Sequence, residues 1–374
     1  MTASACLLPM ALGQTYIVDS QNGPGTQFAT IEQAVATVAD GATLVVRAGT
    51  YGRFGTSKGL AILGEAGARL DLTGQLPVLI SNLPAHRRFA MRGIELVCTT
   101  NQWMFSVANN QGGVILDFPP AAPVTGEFRI AASERVQIRG LAIDNAHFAA
   151  VDVQHSAVSL VDCDLRSGTH LAIRQQYGWL QLTACLLHGS GGIYPLWNSA
   201  NVIGVTGGGR IELRGCTLVG PAGGSAFAYG VSGEGSAYLD NNTVLTDIYQ
   251  LSGLAVGNLQ LLNAHWSDMA KCTASTGPAG TTATASAQGP AASVMILFAG
   301  FPARPSWPTA VAYPLWLDPG TTLTIGVGIG TVTGGYVVPA APWVSGLGVG
   351  WQALAYDTTT GLQLSNAAAY VHGP

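Results

Sequence analysis

Four polar side chains stand out in a chain poor in charge. Asp152 and Gln154 lie in residues 150–155, and Arg174 and Gln176 lie in residues 171–177. They alternate with Val151 and Val153 in the first segment and follow Leu171 and Ile173 in the second. A strand with its apolar side inward therefore turns the polar set outward. His155 and Tyr177 end the two segments, and His170 opens the second. His188, Tyr194 and Trp197 follow in a stretch expected to overhang the same face. An outward acid beside a cation and imidazoles can abstract a proton: Arg174 or His155 as base, His170 close by, and Asp152 as electrostatic helper or metal ligand. Gln154, Gln176, Tyr177, His188, Tyr194 and Trp197 would line such a site. Hydrolysis of a glycosidic bond would instead ask for two carboxylates, and Asp152 is the only clear acid expected on the sheet these segments belong to. The same residue types also serve plainer ends. Asp and His at corners hydrogen-bond turn backbone, and loop aromatics pack.

The elements that must position these residues repeat. V-Q-I-R-G-L-A-I, V-S-L-V-D-C-D-L and L-Q-L-T-A-C-L-L begin at Val136, Val158 and Leu180, a step of 22 residues each time. Apolar residues fall at positions 1, 3, 6 and 8, so two short strands meet at a two-residue bend. Units starting at Phe89, Ile211, Ala237 and Leu259 fit the template, and Val114, Leu116 and Phe118 supply a coil between Phe89 and Val136. Position 6 reads Leu141, Cys163, Cys185, Cys216 and Asn242, an inward column of small residues. With no C-x-x-C pair, Cys163, Cys185 and Cys216 read as core packing. Adjacent rungs also lie within disulfide reach, so their redox state stays open.

Composition narrows the function classes. Charged residues are 10% of the 374, the net charge is -4, and Lys58 and Lys271 are the only lysines. No basic patch is available for nucleic acid. No apolar run reaches the ~20 residues that span a bilayer. Apolar residues make up 48%, enough for a large core.

In residues 28–51, Ile31, Ala34, Val35 and Val38 have helical spacing, Thr30 can cap the helix, and a β-run with a G-T-Y turn follows. This entry segment, the coil at residues 58–65 and the stacked units over residues 15–266 resemble the right-handed parallel β-helix of the pectate-lyase-like superfamily. The resemblance implies an all-β fold with a short N-terminal capping helix. It also implies a groove along the strands that precede each V-x-I unit, which are those carrying Asp152 and Arg174. It further implies secretion and a polysaccharide partner, with lyase action on an acidic polysaccharide as the expected chemistry. Ca²⁺ is the one cofactor it suggests; a bound metal is not otherwise indicated. The catalytic motifs of pectin methylesterases, polygalacturonases and pectate lyases are absent. The alternative is therefore a non-catalytic surface or adhesive β-helix whose partner is a cell-surface component.

The expected organisation is a signal-peptide-like segment at 1–14, the β-helix at 15–272, a low-complexity linker at 273–292 and a small antiparallel β-sandwich at 293–374. The last segment resembles modules that end large secreted bacterial proteins, which implies attachment or sorting.

Overall fold

The computed structural model describes residues 14–168, 171–189, 200–220, 228–246, 264–275, 278–306, 308–309, 311, 313–341 and 344–373. The signal-peptide-like residues 1–13 lie outside them. So do His170, Tyr194 and Trp197.

Apolar repeats stack in parallel register into a β-solenoid followed by a C-terminal antiparallel sheet. Position 1 of the repeat runs Phe89–Val114–Val136–Val158–Leu180–Ile211–Ala237, and position 3 runs Met91–Leu116–Ile138–Leu160–Leu182–Leu213–Leu239. Every residue in these two ladders is buried. Each large aliphatic side chain withdrawn from water contributes about 1.5–3 kcal/mol, so the stack is held mainly by this shared core. The two-residue bend works because one residue adopts the left-handed conformation: Gly93, Gly140, Asp162, Ala184 and Gly215 all have φ between 52° and 75°. At Gly140 a Cβ would lie 2.5 Å from the Phe118 carbonyl oxygen, so glycine is required there by space as well as conformation.

A second corner separates the strand before each unit from the unit itself. Asn82, Asn109, Ala132, His155 and Tyr177 are its left-handed residues. Just inside it, Asn110, Ser133 and Ser156 form a buried polar ladder. Asn110 accepts from Leu83 N at 2.9 Å and donates to Ile80 O at 2.9 Å, while Ser133 N donates to Ser156 Oγ at 3.0 Å. The third face is the parallel sheet of Ala142–Ala146, Asp164–Ser167, Leu186–His188, Thr217–Val219 and Val244–Thr246. Cys163, Cys185 and Cys216 stand as buried free thiols beside it.

Near the start, helix Ile31–Thr37 is capped by Thr30, whose hydroxyl accepts from Gln33 N. Lys58 Nζ donates to the carbonyls of Val35, Ala36 and Val38 at 2.7–3.0 Å, satisfying the acceptors at the helix's other end. Among the described residues no helix is long and apolar enough to cross a membrane.

Several expectations change. Position 6 after Cys216 is Thr243, not Asn242, because Thr217 pairs with Val244 and Leu218 with Leu245. The turn there holds one extra residue, closed by Thr243 N on Asp240 O at 2.8 Å, and Asn242 is exposed. Ala264 pairs with Ala237, so Ala264 and Trp266 occupy positions 1 and 3, and a unit starting at Leu259 is out of register. Strand Thr282–Gln288 runs through the expected linker and pairs with Lys271–Ala274 and Thr331–Val337. Its T-A-T-A-S-A-Q alternates exposed hydroxyls with buried Ala283, Ala285 and Ala287, which makes the low-complexity run a regular two-sided strand.

The expected sandwich is one eight-stranded antiparallel sheet, with a two-stranded ribbon of Pro302–Ser306 and Leu315–Leu317. Its ends share a core around Trp351, Tyr370, Leu297 and Cys272. Asn366 fastens the fold by exchanging hydrogen bonds with the Cys272 backbone at 2.7 and 2.8 Å. This sheet lies against the solenoid face built by the V-x-I strands. Leu63, Ala90 and Ile115 pack on Val371, and Trp179 packs on Trp316 and Ala367. Arg92 Nη1 donates to Val371 O at 2.6 Å, and Ala367 N donates to Gln181 Oε1 at 3.1 Å. One solenoid face is thus covered. The face carrying Asp152 and Arg174 is not the one beneath the C-terminal sheet.

Candidate functional site

On the face away from the C-terminal sheet, parallel register places Arg129, Asp152 and Arg174 side by side on adjacent strands. Interstrand spacing is about 4.8 Å, so one carboxylate stands between two guanidinium stems. Asp152 Oδ2 accepts from Gln154 Nε2 at 2.8 Å. Arg174 Nη1 stands 3.9 Å from Oδ1, an ion pair too long to be a hydrogen bond. Oδ1 is buried and has no hydrogen-bond partner, although the residue is 9% exposed. Burial pushes the Asp152 carboxyl above its ordinary range; Arg174, the Gln154 hydrogen bond and Arg129 pull it back only partly.

Aromatic rings flank this row. The Arg129 guanidinium lies 4.7 Å over the Trp103 ring and that of Arg174 lies 5.2 Å over Phe148. Trp103 is 47% exposed and Phe148 40%, so each offers an outward apolar surface beside a cation. Glu127 joins the two aromatic positions: Oε2 accepts from Trp103 Nε1 at 3.0 Å and Oε1 accepts from Phe148 N at 2.7 Å. Gln154 pairs in register with Gln176, and Gln176 with Thr206, forming a second outward column. At the next corner His155 and Tyr177 stack with ring centroids 4.5 Å apart.

Asp152, Gln154, His155, Arg174, Gln176 and Tyr177 are therefore gathered on one face and its rim. His188 is not among them. It sits on the third face, where it pairs in register with Arg166, and burial together with the Arg166 charge pushes its imidazole below the usual range. Asp164 on that face is engaged by Arg166 through two contacts of 3.0 and 2.8 Å. His170, Tyr194 and Trp197 fall outside the described residues.

Trp103, Glu127, Arg129 and Phe148 were not singled out by sequence reasoning. The signal was available: the strand preceding each unit is also present in the coils before Val114 and Val136, as Trp103–Ala108 and Glu127–Ala131. Glu127 also removes the expectation that Asp152 is the only acid on this sheet.

The Ca²⁺ suggested by the resemblance does not fit here. A calcium ion takes 6–8 oxygen ligands. Asp152 stands between two arginines, and both Glu127 oxygens already accept N–H donors. Among the described residues no three acidic, histidine or cysteine side chains converge.

No family model matches the chain, and no curated protein matches it. Among solved structures it is similar to full-length tailspike protein 2 of the Escherichia coli O157:H7 bacteriophage CAB120, at 8% identity and a TM-score of 0.28. That alignment covers 97% of this chain and 68% of the tailspike chain.

Proposed function

We propose that this chain is a polysaccharide-binding β-solenoid, acting outside the cell or at its surface, whose Asp152 face takes an acidic glycan chain. The observation that carries this reading is the row Arg129–Asp152–Arg174 with Trp103 and Phe148 beside it. Sugar rings present C–H faces that pack on aromatic rings, and their hydroxyl and carboxylate groups meet guanidinium donors and carboxylate acceptors. Strands stacked at a fixed repeat offer such contacts in succession, which suits a polymer better than a single small molecule. The C-terminal sheet packs on a different solenoid face and leaves this row clear of its contacts.

Elimination remains a second reading. Asp152 and Arg174, 3.9 Å apart, are the groups that would serve it, and its product would carry a new double bond that absorbs in the ultraviolet.

Affinity electrophoresis of the purified chain through gels holding polygalacturonate, alginate, hyaluronan or dextran tests the proposal. Retardation by at least one acidic polymer, lost in Arg174→Ala and Trp103→Ala, is expected. Equal mobility in all four gels would overturn it.

A further inference from the structure

We infer that the outward face of the C-terminal sheet is a two-fold interface on which a second copy of this chain packs. Four neighbouring strands form most of that face: Thr282–Gln288, Thr331–Val337, Leu323–Ile329 and Val294–Gly300. Together they hold no Asp, Glu, Lys, Arg or His. An antiparallel sheet with one face in water alternates apolar residues inward with polar ones outward. Thr282–Gln288 obeys this rule, with alanines inward and hydroxyls and an amide outward. The strands Val294–Gly300 and Leu323–Ile329 break it. Met295 and Leu297 are buried, yet the outward side chains beside them are apolar as well.

Register joins the outward side chains into two apolar rows. Tyr356, Val294 and Ile329 are paired across three strands, and Leu354, Ile296 and Val327 form the row beside them. Ile329 is 73% exposed, Val327 67%, Tyr356 50% and Val294 45%. A contiguous apolar surface of this kind marks an interaction site. Area and charge select a second copy as its occupant. Five strands about 4.8 Å apart and seven residues of about 3.4 Å rise give the face a plan of roughly 580 Å², which side-chain relief brings close to the ~800 Å² that each partner contributes to a stable interface. Charged groups steer and select a different protein. This face has none, so a copy meets itself without like-charge repulsion. A two-fold axis parallel to the strands, midway between Val294–Gly300 and Leu323–Ile329, sets Val294 of one copy over Ile329 of the other and Ile296 over Val327. Both sides of the contact are then apolar, with the sheets stacked at the usual spacing of about 10 Å.

Sedimentation velocity of the full chain over a dilution series tests this. A species of twice the 38.4 kDa chain mass is expected at the highest concentration. Val327→Asp/Ile329→Asp sets two carboxylates on each side of the contact and should leave only monomer, with an unchanged far-ultraviolet circular dichroism spectrum. Leu76→Asp makes the same change at a solenoid residue that is 65% exposed, and it should leave the dimer intact. Val327→Thr/Ile329→Thr keeps β-branched side chains and covers the case in which the aspartate variant unfolds. It should raise the dimer dissociation constant at least about 10-fold. A wild-type monomer at every concentration overturns the proposal, and so does an assembly of three or more chains. A dimer that both folded double variants leave unchanged puts the contact elsewhere and overturns it too. These outcomes are independent of retardation in the polysaccharide gels.

Discussion

Arg214 Nη2 donates to Glu212 Oε2 at 3.1 Å, and both side chains are fully buried beneath the C-terminal sheet. The same carboxylate oxygen accepts from Gln181 Nε2 at 2.8 Å, and Arg214 also donates to the carbonyls of Ala270 and Leu364. The pair is therefore a junction between solenoid and sheet. Breaking a buried pair costs about 3–5 kcal/mol when the remaining charge has no other partner; here Arg210 Nη2 stands 3.5 Å from Glu212 Oε1 and keeps part of the compensation. Arg214→Ala should therefore lower unfolding stability by less than that, about 2–3 kcal/mol, in a urea titration. A Glu212→Leu/Arg214→Met double variant should recover part of the loss, because it removes both charges while Arg210, which loses its Glu212 contact, keeps its stacking on Trp179 and Tyr238. A double variant no better than the single would show that Arg214 acts through its carbonyl contacts instead.

Asp152 should be a stability liability at neutral pH. Its carboxyl is raised in the folded state chiefly by burial, so the folded chain binds a proton more readily than the unfolded chain. Stability linked to this group is therefore lowest where it is ionised, and it rises as pH falls through the folded value. Asp152→Asn should raise the melting temperature at pH 7, and the gain should shrink as the pH is lowered towards the usual carboxylate range. A gain that grows on acidification would reverse the sign of the assigned effect.

The cysteine ladder yields a third expectation. Burial pushes the thiols of Cys185 and Cys216 well above the ordinary value and that of Cys272 up to about 12. A thiolate is the reactive form, so these side chains should be inert in the folded protein. Alkylation at pH 8 followed by peptide mass spectrometry should leave Cys163, Cys185, Cys216 and Cys272 unmodified without denaturant and fully modified in guanidinium. Modification of any of them in the native protein would mean that the column opens.

Much of the solenoid was legible because its signal is periodic. Val136, Val158 and Leu180 share one register with Ile211 and Ala237, and the bend residues Gly140, Asp162 and Ala184 fall where the alternation breaks. What escaped was local. Asn242 occupies the template's sixth position, yet one added turn residue hands that place to Thr243. His188 looked like a loop residue because aromatic and glycine residues follow it, yet it ends a strand of the third face. Glu127 escaped because its coil was located only through its V-x-I strand. The packing of the C-terminal sheet on the solenoid depends on contacts far apart in sequence, such as Gln181 with Ala367, for which no short pattern exists.

Residues 282–288 allow a direct check of alternation against composition. Ala285 is 3% exposed and faces the sheet's core, while Thr284 faces outward. Ala285→Leu adds volume to a filled interior and should cost about 1–3 kcal/mol. Thr284→Leu should stay within about 0.5 kcal/mol of the parent, as an exposed substitution does. Thermal melts of the two variants suffice. A flexible linker would tolerate both equally, so equal melting temperatures would remove this strand from the sheet.

Trp103 separates glycan contact from folding. Its ring is 47% exposed, its indole N–H holds Glu127, and the Arg129 guanidinium covers part of one side. Trp103→Ala removes an aromatic surface worth about 1–2 kcal/mol to a stacked, partly desolvated partner, which is roughly 5–30-fold in affinity. It also frees Glu127 to move. Affinity for the retarding polymer should fall by that factor. Trp103→Phe keeps a stacking surface without the N–H donor, so it should recover most of the binding while leaving Glu127 one donor short. Equal binding by the wild type and both variants would place the glycan elsewhere on the solenoid. Loss in the alanine variant with recovery in phenylalanine would assign the contact to the ring face itself.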